Sequence, residues 1–132
     1  MEQVSSLNYQ FLNKRVYSMI FVIDDDYVMA ECIARAVKRE SRIFSNAIEA
    51  MEAISDGEVP EIVFLDVLLD GPDGFTFLNE IMSYEDTAKI PIVIVSSLDL
   101  DENLSSYGVV GILKKETMKP KDIYGFVKKY SG

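Results

Sequence analysis

Four short apolar runs recur along the chain: MIFVI (19–23), IVFL (62–65), IVIV (92–95) and VVGIL (109–113). None alternates apolar with polar residues. Each therefore predicts a strand buried on both faces, the mark of a parallel sheet covered by helices. A weaker run, SRIF (41–44), predicts an edge strand. Between the runs, apolar positions recur every three or four residues. Met29, Cys32, Ile33, Ala36 and Val37 make one stripe, and Ala47, Ala50, Met51 and Ile54 a second. Phe75, Leu78 and Met82 make a third, and Ile123, Phe126, Val127 and Tyr130 the last. A weaker helix is expected between Leu98 and Tyr107, where Asn103, Ser105 and Ser106 are mediocre helix formers. Gly57 and Gly108 follow helices, Pro60 and Pro91 precede strands, and Pro120 suits a first helical turn.

A strand–helix unit repeated five times, with right-handed crossovers, predicts an α/β fold. It is a doubly wound, five-stranded parallel sheet with helices on both faces. Residues 1–17 precede the first strand and are expected to be a partly ordered extension, in which Leu7, Phe11 and Leu12 suit one amphipathic turn. Residues 18–132 form the domain.

Composition narrows the function. A chain of 132 residues suits one domain. Its net charge of −9 argues against nucleic acid or an anionic membrane as partner. One cysteine, Cys32, excludes an internal disulfide and suits a reducing compartment. Cys32 itself reads as a core residue. No apolar run approaches a membrane span, and the first residues lack the pattern of a signal peptide, so a cytoplasmic protein is expected. The chain has no histidine, which removes histidine catalysis and histidine metal ligands from it.

Sites in open α/β sheets form beyond the carboxyl ends of the strands. Asp24, Asp25 and Asp26 follow the first run, Asp66 the second, Ser96 and Ser97 the third, and Lys114 and Lys115 the fourth. Carboxylates converging in a partly dry cleft repel one another unless a cation joins them. A hard divalent ion such as Mg²⁺ takes oxygen ligands and leaves room for a phosphate oxygen. Metal, ammonium and hydroxyl together suit a phosphoryl group, and a carboxylate among them can act as nucleophile. Asp66, alone at the end of a central strand, is the best candidate.

These motifs together resemble the receiver domain of two-component response regulators over roughly residues 18–130. FVIDDD resembles the family's acidic pair, IVFLDVLLDGPDGF its phosphoacceptor strand and loop, IPIVIVSS its Thr/Ser strand and GVVGILKK its lysine strand. The resemblance implies a single-domain, flavodoxin-like receiver with strand order 2-1-3-4-5. It implies Asp66 as phosphoacceptor, with Ser96 and Lys115 binding phosphoryl oxygens. Mg²⁺ (or Mn²⁺) would be held by Asp25 directly, Asp24 mainly through water, Asp66, and the Leu68 backbone carbonyl. The implied donor is a phosphohistidine on a separate histidine kinase or histidine phosphotransfer protein. A downstream protein would meet the face made by the 99–107 helix, the fifth strand and the last helix, and a homodimer is admitted.

Five positions depart from the family's pattern. Asp70 replaces a usual proline after the acceptor, and Glu116 replaces the proline that often follows the lysine. Ile112 takes the place of the aromatic switch residue. Leu68 and Leu98 take the place of polar residues, which implies slow self-dephosphorylation. Two other readings stay open. One is a receiver that docks without being phosphorylated. The other is a haloacid-dehalogenase-like phosphatase, in which Asp24 would be nucleophile and Asp26 the acid. Asp26 otherwise reads as a helix cap, Asp73 as a turn residue, and Lys121, Lys128 and Lys129 as a solvated face.

Overall fold

A computed structural model describes residues 19–67, 73–98 and 108–131, the side chain of Asp73 excepted. The elements are β1 (Ile20–Ile23), α1 (Tyr27–Val37), β2 (Ser41–Phe44), α2 (Ala47–Ser55), β3 (Ile62–Leu65), α3 (Asp73–Met82), β4 (Ile92–Ser96), β5 (Val109–Lys114) and α4 (Pro120–Ser131). The expected extension 1–17, the loop with Leu68 and Asp70, and the weak helix at 99–107 lie outside the described residues.

All five strands are parallel, in the order β2-β1-β3-β4-β5. β1, β3 and β4 are buried along their whole length, as their unbroken apolar runs require. Strand side chains alternate between two cores. Phe21, Ile23, Leu65 and Ile94 pack with α2 and α3 on one side of the sheet. Ile20, Val22, Phe64 and Val93 pack with α1 and α4 on the other. Local chemistry sets the helix ends. Asp26 Oδ1 accepts from the amides of Val28 and Met29, so Asp26 caps α1 as expected. Asn46 caps α2, and Asp122 in the first turn of α4 reaches back to the Lys119 amide. Gly57 and Gly108 both take positive φ, a conformation that favours glycine.

Four expectations are corrected. Cys32 is exposed, not core. α1 buries Ala30, Ile33, Ala36 and Val37, and Cys32 lies about 100° around the helix from Ile33, outside that arc. Phe75 is also exposed, because α3 turns Phe77, Leu78 and Ile81 inward. The cause is Gly74: a Cβ there would stand 2.4 Å from the Val67 Cα, so this side of α3 must face the backbone after β3. Asp73 accordingly opens α3 and is not a turn residue. Finally, β5 is not buried on both faces. It is the far edge strand, and Ile112 is partly exposed.

Candidate functional site

Parallel register assembles the site. Ile23 of β1 pairs with Leu65 of β3, so the next residues, Asp24 and Asp66, leave the sheet side by side. The backbone keeps them there: the Asp66 amide donates to the Ile23 carbonyl at 2.9 Å, and the Asp24 amide to the Phe44 carbonyl at 3.0 Å. Ser96 pairs with Lys114, and the Lys115 amide donates to the Ser96 carbonyl at 3.0 Å. Residues more than forty positions apart thus meet at one sheet edge because the strands end level.

Asp24 and Asp66 are buried, at 2% and 4% exposure, although both carry carboxylates. Lys115 Nζ lies between them, 3.1 Å from Asp66 Oδ2 and 3.3 Å from Asp24 Oδ2. Its contact with Asp66 is a hydrogen bond. At Asp24 it is an ion pair only, because Asp24 Oδ2 is buried without a hydrogen-bond partner among the described residues. Asp24 Oδ1 accepts from the Asp26 amide at 2.9 Å. Asp25 is exposed, and carboxylate oxygens of Asp24, Asp25 and Asp66 lie within 4.8 Å of one another.

Burial pushes the Asp24 carboxyl above its ordinary value of 3.8, against the Asp26 amide and the Lys115 charge that pull it down; the charge of Asp66 adds to the rise. Burial pulls the Lys115 ammonium down. The hydrogen bond it donates to Asp66 and the attraction of both carboxylates outweigh it, and its pKa ends above 10.5. Lysine is therefore held as a cation. One ammonium against three carboxylates still leaves negative charge in excess.

A hard divalent cation fits this donor set. Three oxygens lie close enough to share an ion, and one buried oxygen, Asp24 Oδ2, lacks a hydrogen bond among the described residues. The Leu68 carbonyl, expected as a further ligand, lies outside the described residues. Ser96 is fully buried at the end of β4. Its Oγ accepts from the Leu98 amide at 3.1 Å, which leaves the hydroxyl proton for another acceptor. Ser97 and Lys114 are exposed. Two features escaped sequence reasoning: the Lys115 bridge between Asp24 and Asp66, and the backbone approach that requires Gly74. The pair Asp73-Gly74 signalled a special backbone but not which residue it meets.

Comparison with known proteins agrees with this geometry. The family model for the response regulator receiver domain matches residues 20–128. Response regulator PleD of Caulobacter vibrioides is 29% identical over 82 residues, which cover 61% of this chain and 18% of PleD. The chain spans less than a third of the length of the curated relatives it matches. The receiver domain of NtrX from Brucella abortus superposes with a TM-score of 0.73 at 25% identity, over 85% of this chain and 97% of that one. The receiver domain of sensor histidine kinase PA1611 from Pseudomonas aeruginosa, with magnesium coordinated in its active-site cleft, gives 0.72 at 18% identity, over 87% of this chain and 98% of that one. Among the described residues no helix is long and apolar enough to cross a membrane. Sheet order, level strand ends and sequence match converge, and the chain belongs to the response regulator receiver domains of two-component signalling.

Proposed function

We propose that Asp66 accepts a phosphoryl group from a phosphohistidine on a partner histidine kinase or histidine phosphotransfer protein, and that the phosphorylated chain signals by protein–protein contact in the cytoplasm. The observation that carries this reading is the Asp24–Lys115–Asp66 bridge, with the exposed Asp25 beside it. Mg²⁺, or Mn²⁺, would be held by Asp24, Asp25, Asp66 and the Leu68 carbonyl, and would supply charge neutralisation for the phosphoryl oxygens. The magnesium in the PA1611 receiver and the manganese in response regulator Rcp1 support the choice of ion.

In the transfer, an Asp66 carboxylate oxygen attacks phosphorus. The new P–O bond forms as the P–N bond breaks, and the imidazole leaves with its electron pair and takes a proton from water. Lys115 stands 3.1 Å from the nucleophile's carboxylate and is placed to hold a phosphoryl oxygen. Ser96 offers its hydroxyl proton to another. Repositioning of Ser96 and Lys115 would then bias the face made by residues 99–107, β5 and α4 toward a downstream partner, as a shift of population. The ring-based coupling is not open to Ile112. The phosphatase reading loses its acid, since the Asp26 carboxylate caps α1.

Incubation with acetyl phosphate and Mg²⁺ tests the proposal. Intact mass should rise by one phosphoryl group in the wild type and not in Asp66→Asn. Absence of any gain in the wild type favours the docking-module reading instead. Turnover of a generic phosphoester would contradict both.

A further inference from the structure

A second surface stands apart from the acidic pocket. α2 and α3 lie side by side on one face of the sheet, and a cavity of about 680 Å³ opens against them. Its walls are largely apolar. Ile48 is 57% exposed, Val59 39% and Tyr84 60%, and all three line it together with the partly buried Met51 and Ile54. Scattered exposed apolar residues are ordinary, but several converging on one cavity mark an interaction site.

The rim is acidic. Glu52, Asp56, Glu80 and Asp86 line the cavity, and among the described residues no lysine or arginine does. Among the described residues no cation pairs with any of these four. Their neighbours differ: Glu58 pairs with Arg42, and Glu61 with Arg39. Uncompensated carboxylates around an apolar floor complement one chemistry. A cationic amphipathic helix would place apolar side chains at i, i+4 and i+7 into the cavity and set lysines or arginines against the carboxylates. The volume lies within the range of about 300–1,000 Å³ found for binding clefts.

We infer that the α2–α3 groove is a docking site for a cationic amphipathic helix of a partner protein. None of Asp24, Asp25, Asp66, Ser96 and Lys115 lines the groove. The inference therefore does not rest on phosphorylation, and the two can fail separately.

The probe is a synthetic peptide of about 14 residues, four helical turns, with leucines on one face and lysines elsewhere. The control has the same composition with the leucine stripe broken. Both are titrated into the full chain, observed through its Ile, Val and Met methyl resonances. The striped peptide should shift Ile48, Met51, Ile54 and Val59 and bind at least about tenfold tighter than the control. Ile48→Ser and Tyr84→Ser, exposed positions that leave the fold intact, should each weaken it several-fold, and added salt should weaken it further. Equal binding of both peptides, or shifts gathered around Asp24 and Asp25, overturns the inference. So do groove methyls that move when Phe11→Ser and Leu12→Ser are made in the chain itself, since the occupant would then be its own first residues.

Discussion

Asp24 shows most sharply what the pocket costs the fold. Its carboxyl is buried, its Oδ2 lacks a hydrogen bond among the described residues, and burial raises its pKa above 3.8. The native state therefore holds a proton to higher pH than the unfolded chain does. Native protons exceed unfolded ones, so stability falls as pH rises from 3.8 through the raised native value, then levels off. Asp24→Asn removes this loss. Without metal at neutral pH it should stabilise the protein by on the order of 1 kcal/mol, and its denaturant midpoint should lose the wild type's decline with pH. Lys115→Ala should act in the opposite sense. Breaking a fully buried pair costs about 3–5 kcal/mol, and a smaller loss of roughly 2 kcal/mol is expected because Asp24 can take up a proton. Urea unfolding without metal measures it. Gly74→Ala forces a Cβ to 2.4 Å from Val67 Cα and should cost roughly 2 kcal/mol or more.

Among the elements, strands were more legible than helix faces. A run such as IVFL is buried on all sides, so its end, and Asp66 after it, can be read without knowing its neighbours. A helix stripe can be rotated by its partners. Cys32 and Phe75 fall outside the buried arcs because α1 turns Ala30, Ile33, Ala36 and Val37 inward and the close approach at Gly74 fixes the face of α3. β5 misled through its edge position, which no single strand announces. The hydrogen bonds from Arg39 to Ser131, which tie the end of α1 to the end of α4, join residues 92 apart and leave no local trace. The start of α1 carries a prediction. Tyr27 and Val28 are 65% and 73% exposed immediately after the acidic cluster. In the proposed transfer a protein donor would rest on this surface to reach Asp66, whereas a small donor need not. Val28→Asp should slow phosphotransfer from the cognate donor about tenfold or more and leave labelling by acetyl phosphate unchanged. Leu98, 49% exposed just past Ser96, offers an attacking water no polar group. Loss of the phosphoryl group should therefore be slow, and Leu98→Gln should quicken it by about tenfold, as read by the decay of the phosphorylated mass.

At the scale of the molecule, 13 basic residues face 22 acidic ones, and the acidic pocket concentrates that imbalance at one end of the sheet, where Asp24 and Asp66 are buried. The doubly wound order brings the ends of β1 and β3 together, so the fold that buries the core also forces like charges into contact. A divalent cation shared by the three carboxylates, as proposed, would relieve this repulsion only in the native state and so would stabilise that state through linkage. At a free concentration one hundred times its Kd the gain is about 2.7 kcal/mol, several degrees in Tm for a domain of this size. Thermal unfolding at neutral pH, with and without Mg²⁺, therefore bears most directly on the claim that Asp24, Asp25 and Asp66 share one ion. The account predicts a rise of several degrees in the wild type that Asp25→Asn and Asp66→Asn each abolish. No rise in the wild type, or an equal rise in all three proteins, would contradict it.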